Sequence, residues 1–383
     1  MSADSTVLLT VSAQPARVAA RRNAGLDVAR SLAIVAVYVA HVGGEFAAGA
    51  TQTALVFIGA MGVELFFALS GFLIGRLLIG LAEAGATPGR VGRFWVRRWL
   101  RTLPLYYLVW LAMSWRLDLW NWRDLLFLQN FYPDQLQALV VSWSLVMEEF
   151  FYLLFPIFLL VVGLFARGGR TGARGVLAVA VLEILACNTL RFLALGGWFG
   201  AIRDGSFHTA PLMRLDCAAY GVAAAALVAL LRSTPAARSS WPLAITTASV
   251  ALFVALCTLL FVRIFDPHFQ SVSGFVHWGR YYFTFQYAAL DATFAVLVVA
   301  LWRGLRRLPG WIGLPVAFVS QISYSLYLVH APLLAFFLAP ATARFGAAGG
   351  VCLFTAAALG ASWLTWRAIE RPFLALRDRF VPG

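Results

Sequence analysis

Long apolar stretches recur along the chain and are separated by short polar or arginine-rich connections. Each stretch is close to the roughly 20 residues that a membrane-spanning helix needs. The apolar residues run on without alternating with polar ones, which favours helices over the strands of a barrel. The pattern therefore predicts an all-α, polytopic membrane helical bundle. About ten spans are predicted, at 26–48, 54–81, 103–120, 140–165, 175–195, 211–231, 241–262, 281–302, 312–339 and 347–368.

The composition supports the same class of protein. Of 383 residues, 61% are hydrophobic and only 12% are charged, and the mean hydropathy is +0.81. Soluble globular chains have about 45–50% apolar and about 25% charged residues, so a water-soluble enzyme, a disordered chain and a disulfide scaffold are all disfavoured. The four cysteines lie singly in apolar runs, and their spacing matches neither a metal site nor a disulfide framework.

The charge pattern predicts a topology. The net charge is +13 and the chain has no lysine, so arginine supplies the permanent positive charges. These arginines concentrate in alternate connections and at both chain ends, which the positive-inside rule explains without a nucleic-acid partner. We therefore expect both termini in the cytoplasm of a multi-pass protein of the inner or plasma membrane. The predicted organisation is a flexible cytoplasmic tail at 1–23, a transmembrane domain at 24–375 and a cytoplasmic C-terminal tail at 376–383.

Two ionisable residues of the first span are candidates for function, because a charge at mid-bilayer costs about 3 kcal/mol or more. Arg30 lies near the start of the span, and His41 follows eleven residues later. Eleven residues are close to three helical turns, so both side chains lie on one face, about 16 Å apart along the axis. Histidine accepts a proton from a hydroxyl near neutral pH, and a structural, hydrogen-bonded histidine is an equal alternative.

Further candidates lie in and beside later spans. Arg98 and Arg101 are three residues apart on one helix face at the expected cytoplasmic end, where guanidinium groups suit phosphate oxygens. Positive-inside anchoring is their alternative. Glu148 and Glu149 point about 100° apart, so they serve different surfaces, one of them a cavity in the bundle. His330 is expected near the outer end of the ninth span, against an acceptor or the lipid interface.

Other buried acids are interpreted as structural. Ion pairing is favoured over a catalytic role for four of them: Glu64, Glu183, Asp216 and Asp291. A phosphate-binding Gly-x-x-x-x-Gly-Lys loop is absent, because the chain has no lysine, so an ATP-driven pump of that type is excluded for this chain.

Five segments occur in the order and spacing of a known family. They are Gly25 to Arg30 with His41, Glu64 to Ile74, Arg98 and Arg101 with Pro104 and Tyr106, Trp143 to Leu145 with Glu148, Tyr152 and Pro156, and Ile322 to Ser325 with Tyr327 and His330. A closing Glu370-Arg371-Pro372-Phe373 also fits. Over nearly its whole length the chain resembles the acyltransferase-3 family of integral membrane O-acyltransferases.

The resemblance implies transfer of a short acyl group from a cytoplasmic acyl-CoA, in particular acetyl-CoA, to a hydroxyl of a carbohydrate or glycosylated acceptor. It implies that His41 is the general base, that Arg30 supports the reacting groups, and that Glu148 positions the base or the acceptor. Arg98 and Arg101 are implied to hold the CoA phosphates at the cytoplasmic mouth.

The resemblance also implies a set of substrate-binding residues, namely Trp143, Ser323, Tyr324 and His330. It implies no metal and no tightly bound cofactor, with membrane lipids as the surroundings, and leaves the oligomeric state open. Two other functions fit the buried polar residues themselves. One is a multi-pass transporter or exporter of a small or lipid-linked solute, and the other is a membrane scaffold whose polar pairs only specify packing.

Overall fold

The structure is a computed structural model, which describes residues 22–131, 137–166, 170–195, 210–231 and 272–381. Within these ranges every regular element is helical and no strand occurs, as the sequence predicts. The predicted span at 241–262 and the predicted N-terminal tail up to residue 21 lie outside the described residues.

The longer helices are, in chain order, α1 (Ala24–Gly44), α2 (Gly49–Ala84), α3 (Pro88–Leu117), α4 (Trp143–Phe165), α5 (Gly172–Leu195), α6 (Asp216–Leu231), α7 (Val272–Gly304), α8 (Gly310–Leu333), α9 (Ala339–Thr365) and α10 (Arg371–Phe380). Single-turn helices at Trp122–Leu125 and Pro211–Arg214 lie in the connections. π-Helical turns at Leu334–Leu338 and Trp366–Glu370 join α8 to α9 and α9 to α10.

Seven segments of the described chain are long and apolar enough to cross a membrane, which makes this a multi-pass membrane protein. They are Ala24–Gly44, Gly49–Ala84, Val140–Phe165, Gly172–Ala194, Pro211–Leu231, Gln286–Gly304 and Gly310–Phe380. Large apolar side chains such as Phe165 (88% exposed) point outward, where lipid would cover them. The predicted count of about ten spans and the cytoplasmic termini stay predictions.

The last of these segments is 71 residues long and contains two predicted spans, 312–339 and 347–368. The helical path breaks at Gly346, whose φ of 72° and ψ of 169° are strained for any residue with a side chain. A Cβ atom at Gly350 would lie 2.5 Å from the Cα of Thr342, so the chain passes close to itself there. The long segment is thus not one continuous helix, because its path breaks at Gly346 within α9, between the two predicted spans.

Helix α3 starts well before the predicted span at 103–120. Its N-terminus is capped by Thr87, whose hydroxyl oxygen accepts the Arg90 amide hydrogen, and Pro88 occupies the first helical position. Hydropathy marks only the apolar second half, but helical hydrogen bonding also continues through the polar first half. The difference matters because Arg98 and Arg101 are therefore rigidly placed on a helix and do not lie in a connecting loop.

Helix α2 is the centre of the bundle and packs against α1, α5, α6 and α7. Its backbone touches that of α6. A Cβ atom on Gly71 would lie 1.9 Å from the Ala218 carbonyl oxygen, and one on Gly221 would lie 2.2 Å from the Ala68 carbonyl oxygen. Glycine on both helices permits this close approach, which gives van der Waals contact where lipid offers little hydrophobic driving force.

Buried ion pairs join the helices around α2. The Arg214 guanidinium lies 2.5 Å from Glu64 of α2 and 3.4 Å from Asp291 of α7, measured between nitrogen and carboxylate oxygen. Arg191 of α5 lies 2.5 Å from Asp216, the first residue of α6. The predicted structural pairing is thus confirmed for Glu64, Asp216 and Asp291.

Glu183 differs from these three acids. It is also buried, but neither of its carboxylate oxygens has a hydrogen-bond partner among the described residues.

We expect Arg214→Leu to destabilise the protein by about 3–5 kcal/mol, because the change leaves two carboxylates buried without their cation. Thermal unfolding in detergent, followed by tryptophan fluorescence, should show a large fall in Tm. A matched triple variant that adds Glu64→Gln and Asp291→Asn removes the uncompensated charges and should recover most of the loss. Wild-type melting of the single variant would show that these ion pairs do not hold the bundle together.

Candidate active site

A cavity of about 530 Å³ lies inside the bundle and is enclosed by α1, α2, α3, α4, α8 and α10. Its wall on α2 runs from Val63 to Leu77, which is about 21 Å along the helix axis. The volume is in the range of about 300–1,000 Å³ that is typical of small-molecule sites. The cavity is therefore deep and narrow and has room for an extended ligand.

The cavity lining is strongly cationic. Among the described residues, its lining contains one acid, Glu148, and five arginines, namely Arg30, Arg76, Arg98, Arg101 and Arg377. Arg30, Arg98 and Arg101 line the same cavity, so their like charges repel one another. Like charges held around one space favour an anionic ligand.

Arg98 and Arg101 lie on consecutive turns of α3, and both face the cavity as their three-residue spacing predicts. The Arg98 guanidinium carbon lies 4.3 Å from the centre of the Tyr152 ring, a cation–π contact that fixes the side chain against α4. The Nε atom of Arg98 is buried and has no hydrogen-bond partner among the described residues. A buried donor without an acceptor is costly, so the arrangement is suited to an incoming oxygen ligand.

Arg30 reaches the cavity from the first third of α1. Its guanidinium donates to the Ser320 hydroxyl at 3.2 Å and lies 4.0 Å from Asp27. The same Asp27 carboxylate accepts hydrogen bonds from Ser320 at 2.7 Å and from Arg22 at 3.0 Å. Because Arg22 and Arg30 share this one carboxylate, positive charge is left over at the cavity.

The two adjacent glutamates face different surfaces, as predicted. Glu148 lines the cavity, whereas Glu149 is buried against α3 and accepts a hydrogen bond from the Thr102 hydroxyl at 2.8 Å. The hydrogen-bond partner of His41 is His330 and not Glu148. No hydrogen bond joins Glu148 to His41 in this structure, and the role of Glu148 in positioning the base or the acceptor stays a prediction.

Hydroxyl groups line the cavity near α8, including those of Ser144, Ser323, Tyr324 and Tyr327. Tyr324 donates to the Thr102 carbonyl oxygen at 2.6 Å. Tyr327 donates its one hydroxyl hydrogen to the Val141 carbonyl oxygen at 2.8 Å, so Ser144 is the donor in the 2.6 Å bond between Ser144 and Tyr327. The Tyr327 ring is thereby held in place from two sides.

His41 and His330 form a pair across α1 and α8, with ring centres 5.0 Å apart. His41 Nδ1 lies 2.9 Å from the Val37 carbonyl oxygen, and His330 Nδ1 lies 2.9 Å from the Leu326 carbonyl oxygen. A carbonyl oxygen only accepts, so both Nδ1 atoms carry hydrogen. The single hydrogen on His41 Nδ1 is then shared between the Val37 carbonyl oxygen at 2.9 Å and His330 Nε2 at 3.3 Å, and His41 Nε2 keeps its lone pair.

The histidine pair does not line the cavity. Tyr327 adjoins both the cavity and the histidine pair, because it lines the cavity and its ring centre is 6.1 Å from that of His330. His330 is fully buried, whereas His41 is exposed near the end of α1. Arg30 and His41 share a helix face as predicted, but only Arg30 opens into the cavity.

Of the remaining predicted residues, some line the cavity and one does not. Ser323 and Tyr324 line the cavity together with the arginines and Glu148. Trp143 does not line it, and its ring packs edge-on against Phe67 at 6.4 Å between centres.

Tyr327, Arg76 and Arg377 are among the cavity residues that were not predicted as site residues. Tyr327 lies within a quoted segment and was visible only as part of a motif. Arg76 and Arg377 looked like ordinary charges at helix ends, and only the packing of α2 and α10 around one space identifies them.

Comparison with known proteins decides the family. The sequence pattern of the acyltransferase-3 family, described as an acyltransferase domain, matches residues 23–367. The chain belongs to the acyltransferase-3 family. This acyltransferase-3 domain contains all the residues predicted for the site, from Arg30 to His330.

Curated relatives of this acyltransferase-3 chain have names from cell-wall chemistry. YrhL of Bacillus subtilis, provisionally named a peptidoglycan O-acetyltransferase, is 27% identical over 341 residues, which cover 81% of this chain and 48% of YrhL. The peptidoglycan O-acetyltransferase OatA of Listeria monocytogenes is 30% identical over 161 residues, or 36% of this chain and 24% of that protein. OatA of Staphylococcus aureus, an O-acetyltransferase, is 28% identical over 158 residues, or 35% and 24%.

The chain therefore spans about half the length, or less, of the curated relatives that it matches. No solved structure gives a significant match to it.

Proposed function

We propose that the protein is a membrane O-acyltransferase that moves a short acyl group from a cytoplasmic acyl-CoA to a hydroxyl of a carbohydrate or glycosylated acceptor. The observation that carries the proposal is the arginine-lined cavity of an acyltransferase-3 domain, which ends beside a histidine pair. Acetyl-CoA is the proposed donor, and the enzyme needs no metal and no tightly bound cofactor. The names of YrhL and OatA support a carbohydrate acceptor and an acetyl donor group.

The donor is proposed to bind with its phosphates at Arg98 and Arg101. Planar guanidinium groups bind phosphate oxygens through two parallel hydrogen bonds, which suits a pair of arginines one helical turn apart. The charged nucleotide end of CoA stays at the arginines, while its thin pantetheine arm extends between the helices toward Ser144 and Tyr327. The apolar wall of α2 accommodates that arm.

His41 is proposed as the general base, with Nε2 as the reacting nitrogen. Nε2 takes the proton from the acceptor hydroxyl, whose oxygen then attacks the thioester carbonyl carbon. The carbon–sulfur bond breaks, and the CoA thiolate leaves and takes the proton from the His41 imidazolium. His330 is proposed to hold the base in the reactive tautomer through its Nε2 lone pair, and thus to act as a positioning residue beside the acceptor.

Two other side chains support this reaction in the proposal. Arg30 stabilises negative charge at the acyl end of the donor, and Glu148 positions the acceptor hydroxyl. Ser323 and Tyr324 contact the substrate from α8.

The proposed reaction requires the Tyr327 side chain to move. The thioester approaches along the cavity, and the acceptor approaches His41 from its exposed side. The two substrates meet only when the Tyr327 ring turns away from Ser144 and Val141. The requirement is modest, since two neutral hydrogen bonds hold this side chain and each contributes about 0.5–1.5 kcal/mol.

The proposed location is the inner or plasma membrane, with about ten spans and both termini in the cytoplasm. This orientation puts the donor-binding arginines on the side where acyl-CoA is made.

We expect His41→Ala to lower acyl transfer by roughly 10²–10⁴-fold, because the variant lacks the base that activates the acceptor hydroxyl. The rate is measured as transfer of a radiolabelled acetyl group from acetyl-CoA by the purified protein in nanodiscs. Binding of CoA, measured by calorimetry, is the second readout. CoA affinity should not change, since His41 lies outside the donor cavity.

Glu45→Gln is the matched control, because Glu45 is exposed immediately after α1 and should leave turnover unchanged. Wild-type turnover by His41→Ala contradicts the base assignment. Solute flux across liposomes without acetyl-CoA consumption would instead support a transporter.

We expect Arg98→Ala and Arg101→Ala each to weaken acetyl-CoA binding by about 10–100-fold, the size of one charged hydrogen bond. The loss should appear mainly in KM and should be smaller at high ionic strength. Arg93→Ala is the control, since Arg93 lies on the same helix and is exposed outside the cavity. Equal effects of Arg93→Ala and Arg98→Ala would mean that general surface charge attracts the donor and that no specific site exists.

A further inference from the structure

The C-terminal helix α10 is part of the cavity, although its sequence looked like a short charged tail. No residue of α10 is buried, yet Arg377 lines the cavity together with the arginines of α1, α2 and α3. Arg377 and Arg101 line the same cavity, so their like charges repel each other. A helix on the surface of the bundle thus places a cation against a group of cations, which is unfavourable unless an anion binds there.

Specific contacts hold α10 in this place. Arg97 of α3 lies 3.4 Å from the Asp378 carboxylate and also donates to the Val381 carbonyl oxygen. At the other end, the Glu370 carboxylate accepts a hydrogen bond from Ser325 of α8. These contacts fix α10 at both ends, against α3 and α8.

Asp378 also orients the Arg377 guanidinium. Its two carboxylate oxygens accept from Arg377 Nε at 3.0 Å and from Nη2 at 3.1 Å. This bidentate contact leaves both Nη1 hydrogens without an acceptor among the described residues. Because Asp378 is shared with Arg97, it does not cancel the charge of Arg377. The Arg377 guanidinium is therefore held in one orientation and keeps N–H donors for a ligand.

We propose that Arg377 binds a terminal phosphate monoester of the donor, at a position separate from the phosphates held by Arg98 and Arg101. The inference rests on the acyl-CoA donor of the proposed function. CoA carries a diphosphate and, on its ribose, a 3′-phosphate monoester. The α3 pair lies on one helix face, as a linear diphosphate requires. Arg377 approaches from a different element and fits the separate monoester.

Arg76 completes this second phosphate position. It lines the same cavity from the last third of α2, and its guanidinium carbon lies 5.4 Å from the centre of the Trp302 ring. The cation–π contact keeps this long side chain near α7, at the edge of the cavity. A dianionic monoester between Arg76 and Arg377 would have a cation from each side.

The experiment compares two ligands that differ only in the 3′-phosphate, acetyl-CoA and acetyl-3′-dephospho-CoA. Their Kd values are measured by calorimetry on the full chain in phosphatidylcholine nanodiscs. The wild type should prefer acetyl-CoA by at least about tenfold. Arg377→Gln should lose most of this preference by binding acetyl-CoA more weakly, with the remainder supplied by Arg76, and its affinity for the dephospho ligand should stay unchanged.

Arg379→Gln is the matched control on the same helix, because Arg379 is exposed outside the cavity and should keep the full preference. Arg377→Lys retains the charge without the fork and should keep part of the preference. If Arg377→Gln does not fold, Arg377→Lys still carries the test. An unchanged preference in either Arg377 variant, or an equal loss for both ligands, overturns the proposal.

The remaining outcomes separate this inference from the proposed function and from lipid binding. A wild type that binds acetyl-CoA without regard to the 3′-phosphate overturns the role of Arg377 alone. A wild type that binds neither ligand overturns the acyl-CoA donor as well. Native mass spectrometry in phosphatidylglycerol nanodiscs tests a lipid phosphate. Loss of bound lipid in Arg377→Gln with an unchanged ligand preference assigns Arg377 to the membrane and rejects the proposal.

Discussion

Positive charge held around an enclosed space is the constraint on which this structure depends. A guanidinium group inside a membrane protein must be paired, exposed to water or bound by a ligand, because its desolvation is too costly otherwise. Among the described residues, the cavity lining holds five arginines and one acid. Asp27 is shared between Arg22 and Arg30, and Asp378 between Arg97 and Arg377. An anion in the cavity would therefore stabilise the protein as well as bind to it.

Helix α2 divides the bundle into two polar environments. On one side, from Val63 to Leu77, it forms the wall of the arginine-lined cavity. On the other, Glu64 and Asp291 both pair with Arg214 in a cluster of buried charges. Both sets of residues are ionisable groups within apolar helices. In the cluster, ion pairs between neighbouring helices support packing, whereas the cavity lining holds more cations than acids among the described residues.

The sequence predicted elements and single faces well, because both depend on residues close together in the chain. The apolar periods gave most helices, and the three-residue spacing placed Arg98 and Arg101 on one face. Because Glu148 and Glu149 are adjacent on a helix, the sequence also predicted that they face different surfaces. The features that the sequence did not predict depend on contacts between segments that are far apart in the chain. Nothing in the spacing of α1 shows that His330 supplies the partner of His41.

Two further features could not be read from the chain for the same reason. The position of Tyr327 beside both the cavity and the histidine pair depends on how α4 and α8 meet, through Ser144 and Val141. Hydropathy did not predict the polar first half of α3 or the C-terminal helix α10. Both are amphipathic helical segments that lie outside the apolar spans. Helix α10 contributes Arg377 to the cavity, and Arg76 of α2 looked like an ordinary charge at a helix end, so the cation count of the site was underestimated.

The central claim is that a donor held by the cavity arginines delivers its acyl group to His41 past Tyr327. A cryo-EM structure with a non-hydrolysable acetyl-CoA analogue in nanodiscs tests it most directly. The account predicts phosphates at Arg98 and Arg101, a displaced Tyr327 ring, and a carbonyl carbon within about 6 Å of His41 Nε2, which leaves room for one hydroxyl between them. An analogue whose acyl end stops short of an unmoved Tyr327, or that binds away from the arginines, would contradict it.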